Sequence, residues 1–265
     1  MKKIINHILL LTGIALAGTS CEEKIDIKVK NGEPKVVIEA NISDQPGPYY
    51  VLVSKSKLFN EDNNIQGVAG ATVVISDDAG NSDTLTEPFI AGLYQTNTIQ
   101  GVVGRNYHIQ VTVEGVTYES FSQMQPPVDI DSLFVFYETN FEGEQESEAE
   151  IIVRDPAGVG NFYRLVSYKN GKQSNGFNVQ RDRLWDGKLR NFNVPDDGDL
   201  VTGDTLTVEL RSIDERSFIY FDQFNDNQNN FGAPAAPANP DPVFTPSCLG
   251  YFSAYSVKTK TIIVQ

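Results

Sequence analysis

Residues 107–113, YHIQVTV, alternate without a break: Tyr107, Ile109, Val111 and Val113 share one parity, and His108, Gln110 and Thr112 the other. Successive side chains of a strand point to opposite faces, so this stretch reads as a half-buried strand of an antiparallel sheet. Related patterns recur at 36–42 (VVIEANI), 49–59, 71–77 and 116–124, then at 151–155, 162–171, 204–214 and 250–264. Turn chemistry separates them: DDAGNSD (77–83) and the Glu114-Gly115 step carry the Asp, Asn and Gly of hairpins. Many short strands with almost no helical periodicity predict an all-β chain of immunoglobulin-like or transthyretin-like antiparallel sandwiches. With 15 Phe and 11 Tyr the chain can build an ordinary core. Gly104, three residues before Tyr107, suits a tyrosine corner.

One stretch breaks the pattern. DERSFIYFDQF (214–224) places Phe218, Tyr220 and Phe221 after Asp214, a capping residue, and predicts a short helix. In MQPPVDIDSLF (124–134) the pair Pro126-Pro127 ends one unit and a new alternating run starts at Ile130, so sandwiches are expected over 35–127 and 128–265. The acidic stretch 142–150 reads as a solvated loop, and the Asn/Pro/Ala-rich 225–247 as a long loop that contacts a partner or stays disordered. Cys248, at its edge, reads as a small core residue.

The N-terminus addresses the chain. Lys2 and Lys3 precede an apolar run at 8–18 and small residues up to Cys21, the order of a secretory signal peptide over 1–20; the run is too short to span a bilayer. Gly18-Thr19-Ser20-Cys21 resembles the lipobox of bacterial lipoproteins, with Gly18 where an aliphatic residue is usual. Cys21 is thus expected to carry lipid, with 21–34 as the tether; each buried methylene of an acyl chain contributes roughly 0.8 kcal/mol to anchoring. Glu22 and Glu23 resemble the signal that sends such lipoproteins of Bacteroidota to the exterior face of the outer membrane, though a tether is often acidic anyway. Net charge is -14, and loss of Lys2 and Lys3 takes it two units lower. Such a surface does not attract nucleic acid and is repelled by anionic headgroups. With two cysteines in all and Cys21 acylated, Cys248 has no partner for a disulfide.

Two wider resemblances follow. VAGATVVISDDAG, GLYQTN and VGRNYHIQVTVEGVTYES are similar to transthyretin-like and carboxypeptidase-regulatory-like modules, which implies a scaffold and little chemistry. VVIEANIS, VAGATVVISDDAG, PPVDIDSL, LWDGK, GDTLTVELRSID and GYFSAYSVKTKTIIV, in that order, resemble the domain of unknown function 4249 family of Bacteroidota lipoproteins. The resemblance implies a β-rich lipoprotein working beside a TonB-dependent outer-membrane receptor, and it assigns no catalytic residues. The tripeptides at Thr84, Ser132 and Thr205 (DTL, DSL, DTL) match the Asp-Ser/Thr-aliphatic acceptor of Bacteroidota O-glycosylation, and equally read as turns leading into strands.

Catalytic inventory is thin. His7 leaves with the signal peptide, and His108 reads as a solvent-facing strand residue. There is no metal-binding His pair, Cys pair, nucleophile elbow or phosphate loop. Carboxylates flanking a glycosidic bond need a spacing of roughly 5–9 Å, and none of the 35 acidic residues is singled out. No cofactor is expected. Calcium is a minor candidate at Asp77, Asp78, Asn81 and Asp83 or at Asp196, Asp197, Asp199 and Asp204, but hairpin turns prefer those same residues. The candidate contact surface is Trp185, the one tryptophan, with Arg181, Arg183 and Lys188; against it stands a tryptophan used for the core. The expectation is a non-catalytic binding lipoprotein partnered with a TonB-dependent receptor. A structural or adhesive envelope protein, and a carbohydrate-active enzyme, stay open.

Overall fold

Alternation becomes pairing in the computed structural model, which describes residues 33–57, 64–139, 141–195, 198–229 and 239–265. The strands in chain order are β1 (Val36–Ser43), β2 (Tyr50–Lys55), β3 (Gln66–Gly67), β4 (Thr72–Asp77), β5 (Ser82–Thr84), β6 (Leu93–Gln95), β7 (Asn106–Val113) and β8 (Val116–Gln123). There follow β9 (Ile130–Thr139), β10 (Gln145–Arg154), β11 (Phe162–Lys169), β12 (Lys172–Gln173), β13 (Asn178–Arg181), β14 (Leu189–Asn193) and β15 (Thr205–Ile213). Helix α1 (Glu215–Asn229) then leads to β16 (Leu249–Ile263). Among the described residues no helix is long and apolar enough to cross a membrane.

The largest sheet runs β12-β11-β15-β16-β1-β2-β3, with β13 also on β11 and β6 on β2. A four-stranded sheet (β5-β4-β7-β8) and a three-stranded one (β14-β10-β9) complete the architecture. The fold is mostly β, in antiparallel sheets, as the alternation predicts, with one parallel pairing, β1 to β16. Two cores result. Ile38, Ala40 and Ile42 of β1 and Phe252 and Ala254 of β16 bury with Ile109 and Val111 of β7. Tyr163 and Leu165 of β11 and Val208 and Leu210 of β15 bury with Ile151 of β10 and Phe192 of β14. Each such large apolar side chain contributes roughly 1.5–3 kcal/mol on burial.

Pro126-Pro127 does lie between the cores: Met124 belongs to the first and Val128 to the second. The segments 35–127 and 128–265 nevertheless share one sheet, and Ile213, α1 and the first half of β16 return to the first core. A proline pair ends a strand but does not choose the sheet that later strands join. Gly250 permits the seam. Its φ is 99°, and a Cβ there would meet the Ile38 carbonyl oxygen at 2.0 Å.

Local expectations fare unevenly. The Tyr107 hydroxyl accepts the Val102 N–H at 2.6 Å and donates to the Gln100 carbonyl at 3.3 Å, the bonding of a tyrosine corner. Glu114 and Gly115 take φ of 51° and 82°, the left-handed pair of a tight hairpin turn. The acidic stretch 142–150 is not a loop over most of its length: β10 begins at Gln145, with Ser147 and Ala149 inward and the glutamates outward. Helix α1 continues past Phe224 into the polar residues assigned to a loop. Farther along, Thr245 and Glu119 exchange both backbone hydrogen bonds, so that part of 225–247 is docked on β8. Residues 230–238, Cys21, Glu22, Glu23, Asp196 and Asp197 lie outside the described residues.

Candidate functional site

β13 and β14 are joined by residues 182–188, which fold as two successive turns. The Trp185 N–H donates to the Asp182 carbonyl at 2.8 Å, and the Lys188 N–H to the Trp185 carbonyl at 3.0 Å. These turns hold the indole half-buried, its ring centroid 6.0 Å from Tyr163 and 5.1 Å from Phe192. Trp185 therefore packs on the second core, as the core reading requires, and its remaining surface lines a cleft of ≈ 580 Å³.

Three arginines line that cleft. Arg181 ends β13, Arg183 sits on the turn and Arg190 on β14; all are exposed, and among the described residues none has a carboxylate at ion-pair distance. Arg181 lies 5.8 Å from the centroid of the buried Phe218 ring, within cation–π reach. Leu184 adds an apolar wall that is 87% exposed. Among the described residues Asp222 of α1 is the one carboxylate lining the cleft. Burial pushes its carboxyl above the ordinary range, with Asp226 adding to the rise and Arg181 opposing it. Concentrated positive charge beside an aromatic plate suits an anionic, partly apolar ligand.

Of the residues singled out from sequence, Trp185, Arg181 and Arg183 meet here, whereas Lys188 is exposed and does not line the cleft. Arg190 was missed, although period 2 puts it on the face of buried Phe192, two residues on. Asp222 and Phe218 come from α1, about 40 residues farther along the chain, and no local signal joins them to the turn.

Under the same turn, oxygens of Asp155, Asp182 and Asp186 lie within 4.8 Å of one another. Asp155 accepts the Tyr163 hydroxyl at 2.5 Å and the Gly187 N–H at 3.0 Å. Asp182 accepts from Gly160 at 3.0 Å and Asp186 from Gly158 at 2.7 Å. Burial raises the Asp155 carboxyl, opposed by those hydrogen bonds and reinforced by the two neighbouring carboxylates. By donor type this trio suits a hard divalent cation such as calcium. The stretches considered for calcium from sequence are tied up as turn residues where described. Asp77 accepts from Ala79, Asn81 and Arg105, Asp78 from Asn106, and Asp83 from Asn97, Thr98 and Ile99. Asp204 accepts from Val201 and Asn170, and it pairs with Lys169. Asp199, exposed, uses its backbone carbonyl to accept from Lys169.

His108 lies on the polar face of β7, as alternation requires. It stacks on Phe121 with centroids 4.2 Å apart and stands 3.4 Å from Glu119. Cys248 is buried in the first core, which pushes its thiol up to about 12. Thr84 is exposed on β5, while Ser132 and Thr205 are half-buried on β9 and β15.

The family model described as Domain of unknown function (DUF4249) matches residues 22–261. The chain belongs to this family. Within this DUF4249 protein the match spans the first core, all of the second but Val264 and Ile262, and the whole cleft. No curated protein matches it. A two fibronectin type-III domain segment from chicken tenascin is 11% identical over 88% of this chain and 99% of that one, with a TM-score of 0.23. The fold of the DUF4249 chain therefore stands on the strand pairing described above rather than on that likeness.

Proposed function

We propose that the protein is a lipid-anchored outer-membrane protein facing the exterior, and that it serves as a non-catalytic accessory or binding partner of a TonB-dependent transporter in nutrient uptake. The observation that carries a binding role is the cleft: three exposed arginines, an indole packed on the second core and an exposed leucine, all on strands and turns. That make-up supplies the contacts of a binding site, and His108, on another sheet, has a phenyl ring and one carboxylate as neighbours. Support for the anchor comes from the signal peptide and lipobox ending at Cys21. A tether at Cys21 raises the local concentration of whatever the cleft engages. The O-glycan acceptors belong to the same reading, with Thr84 the most accessible.

The test is a gentle-detergent pull-down from the native outer membrane, run with the wild-type chain and with Arg183→Gln/Arg190→Gln. Recovery of a stoichiometric TonB-dependent receptor supports the accessory role. Recovery of the lipoprotein alone, with Cys21 acylated, refutes a stable complex and favours a structural or adhesive envelope protein.

A further inference from the structure

In a chain carrying 35 carboxylates, three arginines face one cleft with no carboxylate at ion-pair distance among the described residues. We propose that this cleft binds an acidic saccharide, a short sugar chain bearing carboxylate or sulfate groups. The inference rests on the reading of the cleft as the binding site and names the chemistry of what enters it.

Charge comes first. Arg181, Arg183 and Arg190 outnumber Asp222, the single lining carboxylate among the described residues. The protein's overall charge of -14 opposes an anion at long range, but charges farther apart than about 8 Å are largely screened at physiological ionic strength. The cations within the cleft therefore decide the sign that a bound group meets. Guanidinium presents a planar fork of N–H donors that matches carboxylate and sulfate oxygens two at a time.

Shape and apolar surface narrow the class. A bare inorganic anion has no use for Trp185, Leu184 and the Phe218 floor, and it would leave most of ≈ 580 Å³ to water. That volume lies within the roughly 300–1,000 Å³ of small-molecule sites. A pyranose ring offers an apolar face to stack on the indole and hydroxyls for the Gln180 amide and Asp222, while its acid groups reach the arginines. A neutral sugar would fill the same space and leave the guanidiniums without counter-charge. An acidic peptide added as a strand needs a longer edge than β13 offers in its four residues, against which α1 also packs.

The indole and the strand backbones that carry two of the arginines are held in place before a ligand arrives. Arg181 and Arg190 sit at paired positions, opposite Phe162 of β11 and Val153 of β10. Trp185 is fixed by its turns and by Tyr163 and Phe192. Ordering on binding is then confined to the arginine side chains, which favours affinity.

Trp185 is the one tryptophan of the chain, so intrinsic fluorescence reports directly on the cleft. The experiment titrates the purified full chain in detergent with a uronic-acid disaccharide, a sulfated disaccharide, the matching neutral disaccharide, sodium sulfate and an acidic hexapeptide. A saturable change with the uronate or the sulfated sugar supports the proposal, and which of them responds identifies the acid group. It should weaken at least tenfold in Arg183→Gln/Arg190→Gln, two exposed positions where the melting temperature serves as the control for folding, and weaken further as salt rises. Equal binding of the neutral sugar, of sulfate alone or of the peptide overturns it, as does the absence of any saturable response. Because the titration uses no receptor, a failed pull-down leaves this result intact, and a recovered receptor with no sugar response refutes the saccharide alone.

Discussion

Asp83 is a residue whose role lies entirely in what it accepts. Its carboxylate takes the N–H groups of Asn97, Thr98 and Ile99 at 2.7, 2.6 and 3.0 Å, pinning the chain after β6 to β5. Burial pushes its carboxyl up, but those donors together outweigh burial and hold it below the ordinary carboxylate range. A carboxyl depressed by folding contributes its full stability above the unfolded value of about 3.9 and loses it as pH falls through the lower folded value. Asp83→Asn removes the charge and turns an amide toward three donors. It should lower stability at pH 7 by about 1–3 kcal/mol, measured from urea unfolding, and the gap from wild type should close below about pH 4. An unchanged midpoint at pH 7 would count against this role. In the sequence Asp83 looked like any turn aspartate, since its partners stand 14–16 residues away. Arg183 and Trp185 were legible as a pair because the turn that unites them is local. Asp222 was not.

At the scale of elements, periodicity served better than composition. Glutamates dominate 142–150 and suggest a solvated loop, yet Ser147, Ala149, Ile151 and Val153 alternate inward from an outward row of Glu146, Glu148 and Glu150. Two small inward residues were enough to hide the first six residues of a ten-residue strand, 145–150, from a reading by charge. Helix α1 shows the reverse: its start was readable from the cap, and its end was not. The Asp214 carboxylate accepts the Ser217 N–H at 2.8 Å and the Gln123 N–H at 3.1 Å, so it caps the helix and ties it to the end of β8. Asp214→Ala should cost about 1–2 kcal/mol, visible as a lower denaturant midpoint with the β content unchanged by circular dichroism. A loss of less than a few tenths of a kcal/mol would assign the helix start to packing of Phe218 and Phe221 instead.

For the whole molecule the decisive contact is the parallel seam of β1 and β16, which joins residues more than 200 positions apart. It makes one sheet of the two stretches that Pro126-Pro127 divides when the sequence is read alone, and it completes the first core with Phe252 and Ala254. A fragment of residues 35–127 lacks those side chains, α1 and the edge partner of β1. It should therefore stay unfolded when expressed alone, as measured by circular dichroism and thermal melting. A cooperative melt of that fragment would show that the first core closes without β16. The seam itself depends on Gly250, where any side chain would collide with the Ile38 carbonyl.

By itself the sequence determined the all-β class, the strand faces, the tight turns, the tyrosine corner and the helix cap, because each of these is set by residues within a few positions of one another, and it determined the family through short motifs in a fixed order along the chain. Tertiary structure alone decided that the two cores share a sheet, that Arg190, Phe218 and Asp222 complete the cleft around Trp185, and that Asp155, Asp182 and Asp186 converge beneath it. The physical reason is reach. Alternation tells which face a side chain takes, whereas its neighbours across a sheet depend on strand order, and strand order is chosen by the burial of the whole chain at once.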